Sequence, residues 1–206
     1  MALVLLLVGS ARADLGIAVA AKAGTLGAGV EVSKSLFGDF GVRASLNKFT
    51  YSLSDSVKGK DLKYDADLNL SSWSVILDYY PWSGVFRVCG GIIHNGNNFV
   101  AKMQSSKSYS VGGRTYTPDD QGELDATIDW KPMAPYFGIG WGNSTEKDKF
   151  FGVNVDFGAM IQNAPKVKLE GTKMMAAMET EAPKIENHLS SAKTWFVASI
   201  GFSFHF

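Results

Sequence analysis

The sequence predicts an all-β chain, an eight-stranded antiparallel up-and-down transmembrane β-barrel with short turns at one end and long loops at the other. Three observations carry that expectation. Apolar and polar residues alternate through several runs, the connections between those runs alternate in length, and no apolar run is long enough for a membrane helix. A helix would need ~18 consecutive apolar residues, so a chain like this one could cross a bilayer only as a closed barrel.

The clearest run is the last, Lys193 to Phe206. Phe196, Ala198, Ile200, Phe202, Phe204 and Phe206 form one set, and Trp195, Val197, Ser199, Gly201, Ser203 and His205 the other. Successive strand residues point to opposite faces, so one face is apolar and aromatic while the other is mostly small and polar. A soluble sandwich or barrel with its apolar face turned inward is the alternative reading of this pattern.

Composition sets bounds. With 206 residues, 46% of them hydrophobic, the chain suffices for one domain with a large buried or lipid-facing surface. The formal net charge is zero, which argues against a nucleic-acid partner. Cys89 is the single cysteine, so no internal disulfide or CxxC site can form, and it reads as an inert residue on an interior face.

At the N-terminus, Ala2 to Val8 is a short apolar run followed by Ala11-Arg12-Ala13. Small residues three and one before Asp14 match a signal-peptidase site, so residues 1–13 are expected to be a cleaved signal peptide and 14–206 the barrel domain. The basic leader usual in such a segment is missing, which suggests a start further upstream or a trimmed chain. A buried first strand is the competing reading.

The remaining strands follow in order. Leu15, Ile17, Val19 and Ala21 alternate with Gly16, Ala18, Ala20 and Lys22, and Gly24-Thr25-Leu26-Gly27 is a turn. Ala28, Val30 and Val32 oppose Gly29, Glu31 and Ser33; after the turn at Phe37 to Gly41, Val42, Ala44 and Leu46 oppose Arg43, Ser45 and Asn47. Near Lys48 the apolar set changes parity to Phe49, Tyr51 and Leu53, which a bulge or emergence from the bilayer would explain. Ser54 to Lys60 is a polar loop. The fourth strand, about Leu62 to Tyr80, sends Trp73, Val75, Leu77 and Tyr79 outward, with Leu68 and Leu70 on the other parity and a second bulge expected.

A turn at Tyr80 to Gly84 leads to Phe86, Val88, Gly90 and Ile92 opposite Arg87, Cys89, Gly91 and Ile93. His94 to Pro132 reads as a long polar loop with a hairpin tip at Gly112-Gly113, between Tyr109 and Tyr116. Phe137, Ile139 and Trp141 then oppose Tyr136, Gly138 and Gly140. After a charged turn at Asn143 to Asp148, Phe151, Val153, Val155, Phe157, Ala159 and Ile161 oppose Gly152, Asn154, Asp156, Gly158, Met160 and Gln162. Asn163 to Ala192 is a second long loop, in which Met174, Met178, Ala182, Ile185 and Leu189 recur at helical spacing. Pro183 should split that helix, which reads as a cap over the rim.

The count is eight strands, with short turns on one side and long loops on the other, the first loop being a short exception. A lipocalin-type soluble barrel would instead turn its apolar residues inward around a ligand, and the glycine and charge content of the inner set speaks against that.

The segments Lys22-Ala-Gly-Thr-Leu-Gly27, Tyr64-Asp-Ala-Asp-Leu68, Asp78-Tyr-Tyr-Pro81, His94-Asn-Gly-Asn97 and Ala134-Pro-Tyr-Phe-Gly-Ile-Gly-Trp-Gly142 resemble a widespread family of small proteobacterial surface barrels grouped with OmpA-, OmpW- and opacity-protein-like proteins. The final strand is similar to the closing strand of Gram-negative outer-membrane barrels. That resemblance implies an outer-membrane location among membrane lipids, with both termini in the periplasm. It also implies that Phe202, Phe204 and Phe206 belong to the signal read by the barrel-assembly machinery. It supplies no catalytic residue and no cofactor.

The expected inward charges are Lys22, Glu31, Arg43, Asp78, Arg87 and Asp156. Three bases and three acids in a narrow interior should pair, because an unpartnered buried charge is costly, so a largely plugged interior is expected. The alternatives are a narrow porin-like path for ions or small solutes, or a surface antigen or adhesin acting through the loops at 95–132 and 163–192. An enzyme is not expected. His94, His188 and His205 are scattered, none adjoins a serine nucleophile, and no metal-ligand spacing is present.

Overall fold

The computed structural model describes residues 16–57, 62–82, 84–142 and 150–206. The segment expected to be a signal peptide, residues 58–61 and the charged turn after Gly142 lie outside the described residues, while Ser54 to Val57 of the expected polar loop are strand.

Eight strands among the described residues close into a ring. They are β1 (Ile17–Gly24), β2 (Gly27–Ser35), β3 (Phe40–Val57), β4 (Leu62–Tyr79), β5 (Phe86–Asn95), β10 (Met133–Trp141), β11 (Phe151–Ile161) and β13 (Thr194–His205). Each pairs antiparallel with its two neighbours, β13 returns to β1, and the β4–β5 pairing completes the circuit. Side chains alternate across it as the sequence indicates. Glu31, Ser33, Arg43, Ser45, Asp78, Arg87, Asn154 and Asp156 are buried inside, whereas Val30, Leu46, Val75, Leu77, Phe137, Phe157, Ile200 and Phe202 are exposed outside.

The segments expected as loose loops are largely strand. β6 (Asn98–Ser105) continues β5, and β9 (Glu123–Asp129) leads into β10. Between them lie the hairpin β7 (Tyr109–Val111) and β8 (Arg114–Tyr116) and one helical turn, α1 (Pro118–Gln121). The hairpin turns at Gly112 and Gly113, both with positive φ, as the sequence indicates. β12 (Lys166–Gly171) follows β11 and pairs with β9. The upper halves of β3 and β4, with β6, β9 and β12, thus make a five-stranded wall rising from one side of the ring. On the opposite side, β1 and β2 end at a tight turn.

No bulge is present at Lys48, where a bulge was one of two alternatives, nor in β4, where one was expected. β3 and β4 keep one register from Phe40↔Tyr79 to Val57↔Leu62. What changes at Lys48 is the surroundings of each face. Below it, the outward face carries Val42, Ala44 and Leu46 and the inward face Arg43, Ser45 and Asn47. Above it, the outward face carries Lys48, Thr50 and Ser52, opposite Ser71, Asn69 and Asp67, and the inward face carries Phe49, Tyr51 and Leu53. Leu68 and Leu70 lie on that same inward face, opposite Tyr51 and Phe49. The strand is continuous and its apolar side swaps.

Rows of apolar residues run across the inner face of the wall. One passes Val167, Ile128, Phe99, Leu68 and Tyr51, and the next Leu169, Ala126, Ala101, Ala66 and Leu53. A helical segment, a 3-10 stretch Lys173–Glu181 followed by α2 (Ala182–His188), covers the β9–β12 end of these rows. Pro183 sits in the first turn of α2, where its missing N–H costs nothing, so the helix is split as expected. The residues that pack onto Leu124, Val167 and Leu169 are Met175, Ala182 and Leu189. Met174, Met178 and Ile185 of the expected stripe are instead exposed, because the 3-10 turn shifts the phase of the segment.

Glu186 fastens α2 to β12. Its Oε1 accepts the Val167 N–H at 3.0 Å and its Oε2 lies 3.3 Å from Lys166 Nζ. These contacts, the backbone N–H foremost, hold its carboxyl below the ordinary glutamate range. A depressed folded-state value means that the docking contribution is present above the ordinary range and is lost as pH falls through the lowered value. Hydrogen exchange at Val167, normalised to the intrinsic rate, should therefore quicken in acid. In Glu186→Gln it should be fast at every pH, and a mutant indistinguishable from wild type would exclude this anchor.

Candidate functional site: the interior of the ring

The six charged residues expected to face inward converge in one layer. Each comes from a ring strand whose outward neighbours are apolar, so the pleat forces the charge inside. Arg43 is the hub. Its Nε lies 2.6 Å from Asp78 Oδ2, its NH2 2.9 Å from Asp78 Oδ1, its NH1 3.1 Å from Asp156 Oδ2 and 3.3 Å from Glu31 Oε2. Lys22 Nζ reaches Glu31 Oε2 at 2.8 Å and Asp156 Oδ2 at 3.8 Å. Arg87 NH2 donates to Asp156 Oδ1 at 2.6 Å, its Nε is 3.7 Å from Asp78 Oδ1, and its NH1 donates to the Gly142 carbonyl. Three bases and three acids thus form one connected set with formally zero net charge.

Space for this layer comes from glycine. A Cβ on Gly140 would stand 2.7 Å from Asp156 Oδ1 and 2.8 Å from Arg87 Nε. Gly140→Ala should therefore displace that ion pair and destabilise the fold by about 1–3 kcal/mol, the usual range for overpacking. An unfolding midpoint in urea equal to wild type would show that the pair moves aside freely.

A second, apolar layer adjoins the charges and was not singled out from the sequence. Leu26, Ile76, Cys89, Ile93, Ala134, Tyr136, Met160 and Val197 cluster inside the ring, with Trp195 against them. The inward parity of Ile76, Cys89, Ile93, Tyr136, Met160 and Val197 was legible, whereas Leu26 was read as part of a turn and Ala134 was given no face. The clustering was not legible, because these residues come from different strands and meet only when the ring closes. Between the layers is a cavity of about 20 Å³ bordered by Lys22, Arg43, Ser45, Ser74, Ile76, Tyr136 and Asp156. It has room for about one water molecule.

The other sequence candidates do not join the charge layer. Cys89 is buried, with its Sγ 3.9 Å from the Tyr136 hydroxyl. His205 is at the lower end, its Nε2 3.3 Å from Ser203 Oγ, and His188 Nδ1 lies 2.7 Å from the Lys184 carbonyl in α2. His94 faces outward, stacked on Trp73 with ring centroids 5.3 Å apart. Among the described residues no group of histidine, cysteine, aspartate or glutamate has a metal-binding arrangement. Phe202 and Phe204 lie in the outer aromatic belt at the lower end, against Phe151, and the Phe206 N–H donates to the Ile17 carbonyl at 2.9 Å.

A closed antiparallel ring with a charged centre and an apolar exterior defines the class of architecture. Solved structures similar in fold include two from Acinetobacter baumannii. CarO2 of Acinetobacter baumannii matches with a TM-score of 0.61 and 19% identity over 92% of this chain and 98% of that one. CarO of Acinetobacter baumannii matches with a TM-score of 0.60 and 23% identity over 92% and 97%. The similarity is one of fold. No protein-family model and no curated protein sequence matches the chain.

Proposed function

We propose that the chain is an integral outer-membrane β-barrel, a non-enzymatic surface protein whose interior is closed by its charge layer. The observation that carries this reading is the inversion of the usual burial pattern. Arg87 is 0% exposed inside the ring, while Phe137 is 65% and Phe196 78% exposed outside it. In water such a belt would be a severe aggregation liability; in a bilayer it is the expected outer surface of a barrel. No helix among the described residues is long and apolar enough to span a membrane. The fold similarity to CarO supports the same reading.

The two interior layers and the small void between them favour a plugged barrel over a porin. The test is threefold. The protein should fractionate with outer membranes, it should migrate differently on gels before and after boiling, and wild-type protein in planar bilayers should give small or intermittent currents. Recovery in the soluble fraction would refute the membrane assignment, and large steady currents would replace the plugged barrel with a channel.

The wall supports a second role, surface recognition. Its five strands are a rigid scaffold rather than two mobile loops, and rigid scaffolds position recognition loops well. Deleting the β7–β8 hairpin should abolish cell-surface binding without affecting barrel assembly if that role holds.

A further inference from the structure

On the outer face of the ring, at the height where the apolar belt ends, an open surface groove of about 490 Å³ is lined by Ala28, Val30, Leu46, Lys48, Ser71, Trp73 and His94 among others. The pairing registers place its walls in two rows. The upper row is Ala28, Lys48 and Ser71, and the lower row Val30, Leu46, Trp73 and His94. The upper row is therefore one cation flanked by small residues, and the lower row an apolar floor ending in a stacked indole–imidazole pair. No carboxylate lines the groove. Its backbone is fixed, because the Ser71 carbonyl accepts the Gly96 N–H at 2.8 Å and the Ser71 N–H donates to Asn97 Oδ1 at 2.9 Å.

We propose that this groove binds a phosphorylated lipid of the outer leaflet, with the phosphate held by Lys48 and His94 and the first methylenes of an acyl chain lying on Val30, Leu46 and Trp73. Lys48 is the first outward residue of β3 above the belt, so its ammonium stands at headgroup height, where a cation is attracted to anionic lipid. Ser71 and the His94 ring supply hydrogen-bonding groups on the same side, and the small residues beside Lys48 leave room for the headgroup. Indole rings favour that depth because one edge is apolar and the other polar. The occupant must be both anionic and acylated, since Lys48 and His94 recognise one half of it and the apolar residues Val30, Leu46 and Trp73 the other. This inference rests on the membrane assignment made above.

Native mass spectrometry of the folded barrel in detergent, titrated with diphosphoryl lipid A and with its dephosphorylated form, tests it. The phosphorylated lipid should be retained about tenfold more strongly. Lys48→Ala should lower its affinity about fivefold, as expected for removing one interfacial cation, and His94→Ala should also lower it. Lys34→Ala, at the opposite end of the same outward face of β2, should leave it unchanged. Inorganic phosphate at millimolar concentration should not displace the lipid. Equal retention of both lipids, Lys34→Ala and Lys48→Ala behaving alike, or full displacement by inorganic phosphate would each overturn the proposal. Every variant is first checked for the boiling-dependent gel shift: protein that never shows it contradicts the membrane reading, whereas a shifted protein without phosphate preference contradicts this inference alone.

Discussion

Replacing Arg43 with alanine is expected to be the most damaging single change inside the ring. Arg43 is the one base in contact with Glu31, Asp78 and Asp156 together. Its removal leaves three carboxylates facing two bases, Lys22 and Arg87, in a space that holds about one water. Breaking a buried ionic set by deleting one partner costs about 3–5 kcal/mol, because the surviving charges stay desolvated. Urea unfolding of Arg43→Ala in lipid vesicles should register that loss. Lys22→Ala should cost less, since the Lys22 side chain is the most exposed of the six and Glu31 keeps Arg43. Conductance should rise in the same mutant and favour cations, because a plugging side chain is gone and the layer has become net negative. Unchanged stability together with unchanged current would show that Arg43 neither holds the fold nor blocks the path.

The second large effect is expected on the outer face. Val155 points outward from the middle of β11, between Trp141 and Ile200, while its neighbour Asn154 is buried inside against Ser203. Val155→Arg places a guanidinium in the hydrocarbon and should destabilise the barrel by about 2–4 kcal/mol in vesicles. Asn154→Asp, on the inner face, should cost less than half as much. If the arginine were tolerated in lipid and the interior change were not, the faces of β11 would be assigned the wrong way round.

The two halves of the molecule differed in how readable they were. In the ring, β11 and β13 lie between an apolar exterior and a polar interior, so every residue is constrained by one face or the other and strict alternation results. Parity alone sufficed to place all six charged residues inside. It could not reveal that Arg43 is the hub, because that follows from how the strands are staggered around the ring. Above Lys48 the rule fails for a physical reason. Phe49, Tyr51 and Leu53 are inward because the wall is flanked by solvent outside and by its own apolar rows inside, and the sequence of one strand carries no marker of where lipid ends. The strands β6, β9 and β12 were hidden for the same cause, since short polar-faced strands resemble loops in composition. His94 was read near the outer end of its strand and lies there, continuing the outward series Phe86, Val88, Gly90 and Ile92 in β5.

In the membrane setting proposed for the ring, the swap of apolar side along β3 and β4 also fixes the depth at which the protein sits. A uniform apolar exterior would let a barrel ride up or down with bilayer thickness at small cost per ångström. Here, sinking by one row would drag Lys48 and its neighbours into hydrocarbon, while rising by one row would lift Leu46 and Trp73 into water. The energy therefore climbs in both directions from a single position. A membrane of a different thickness would have to deform around this chain instead of moving it.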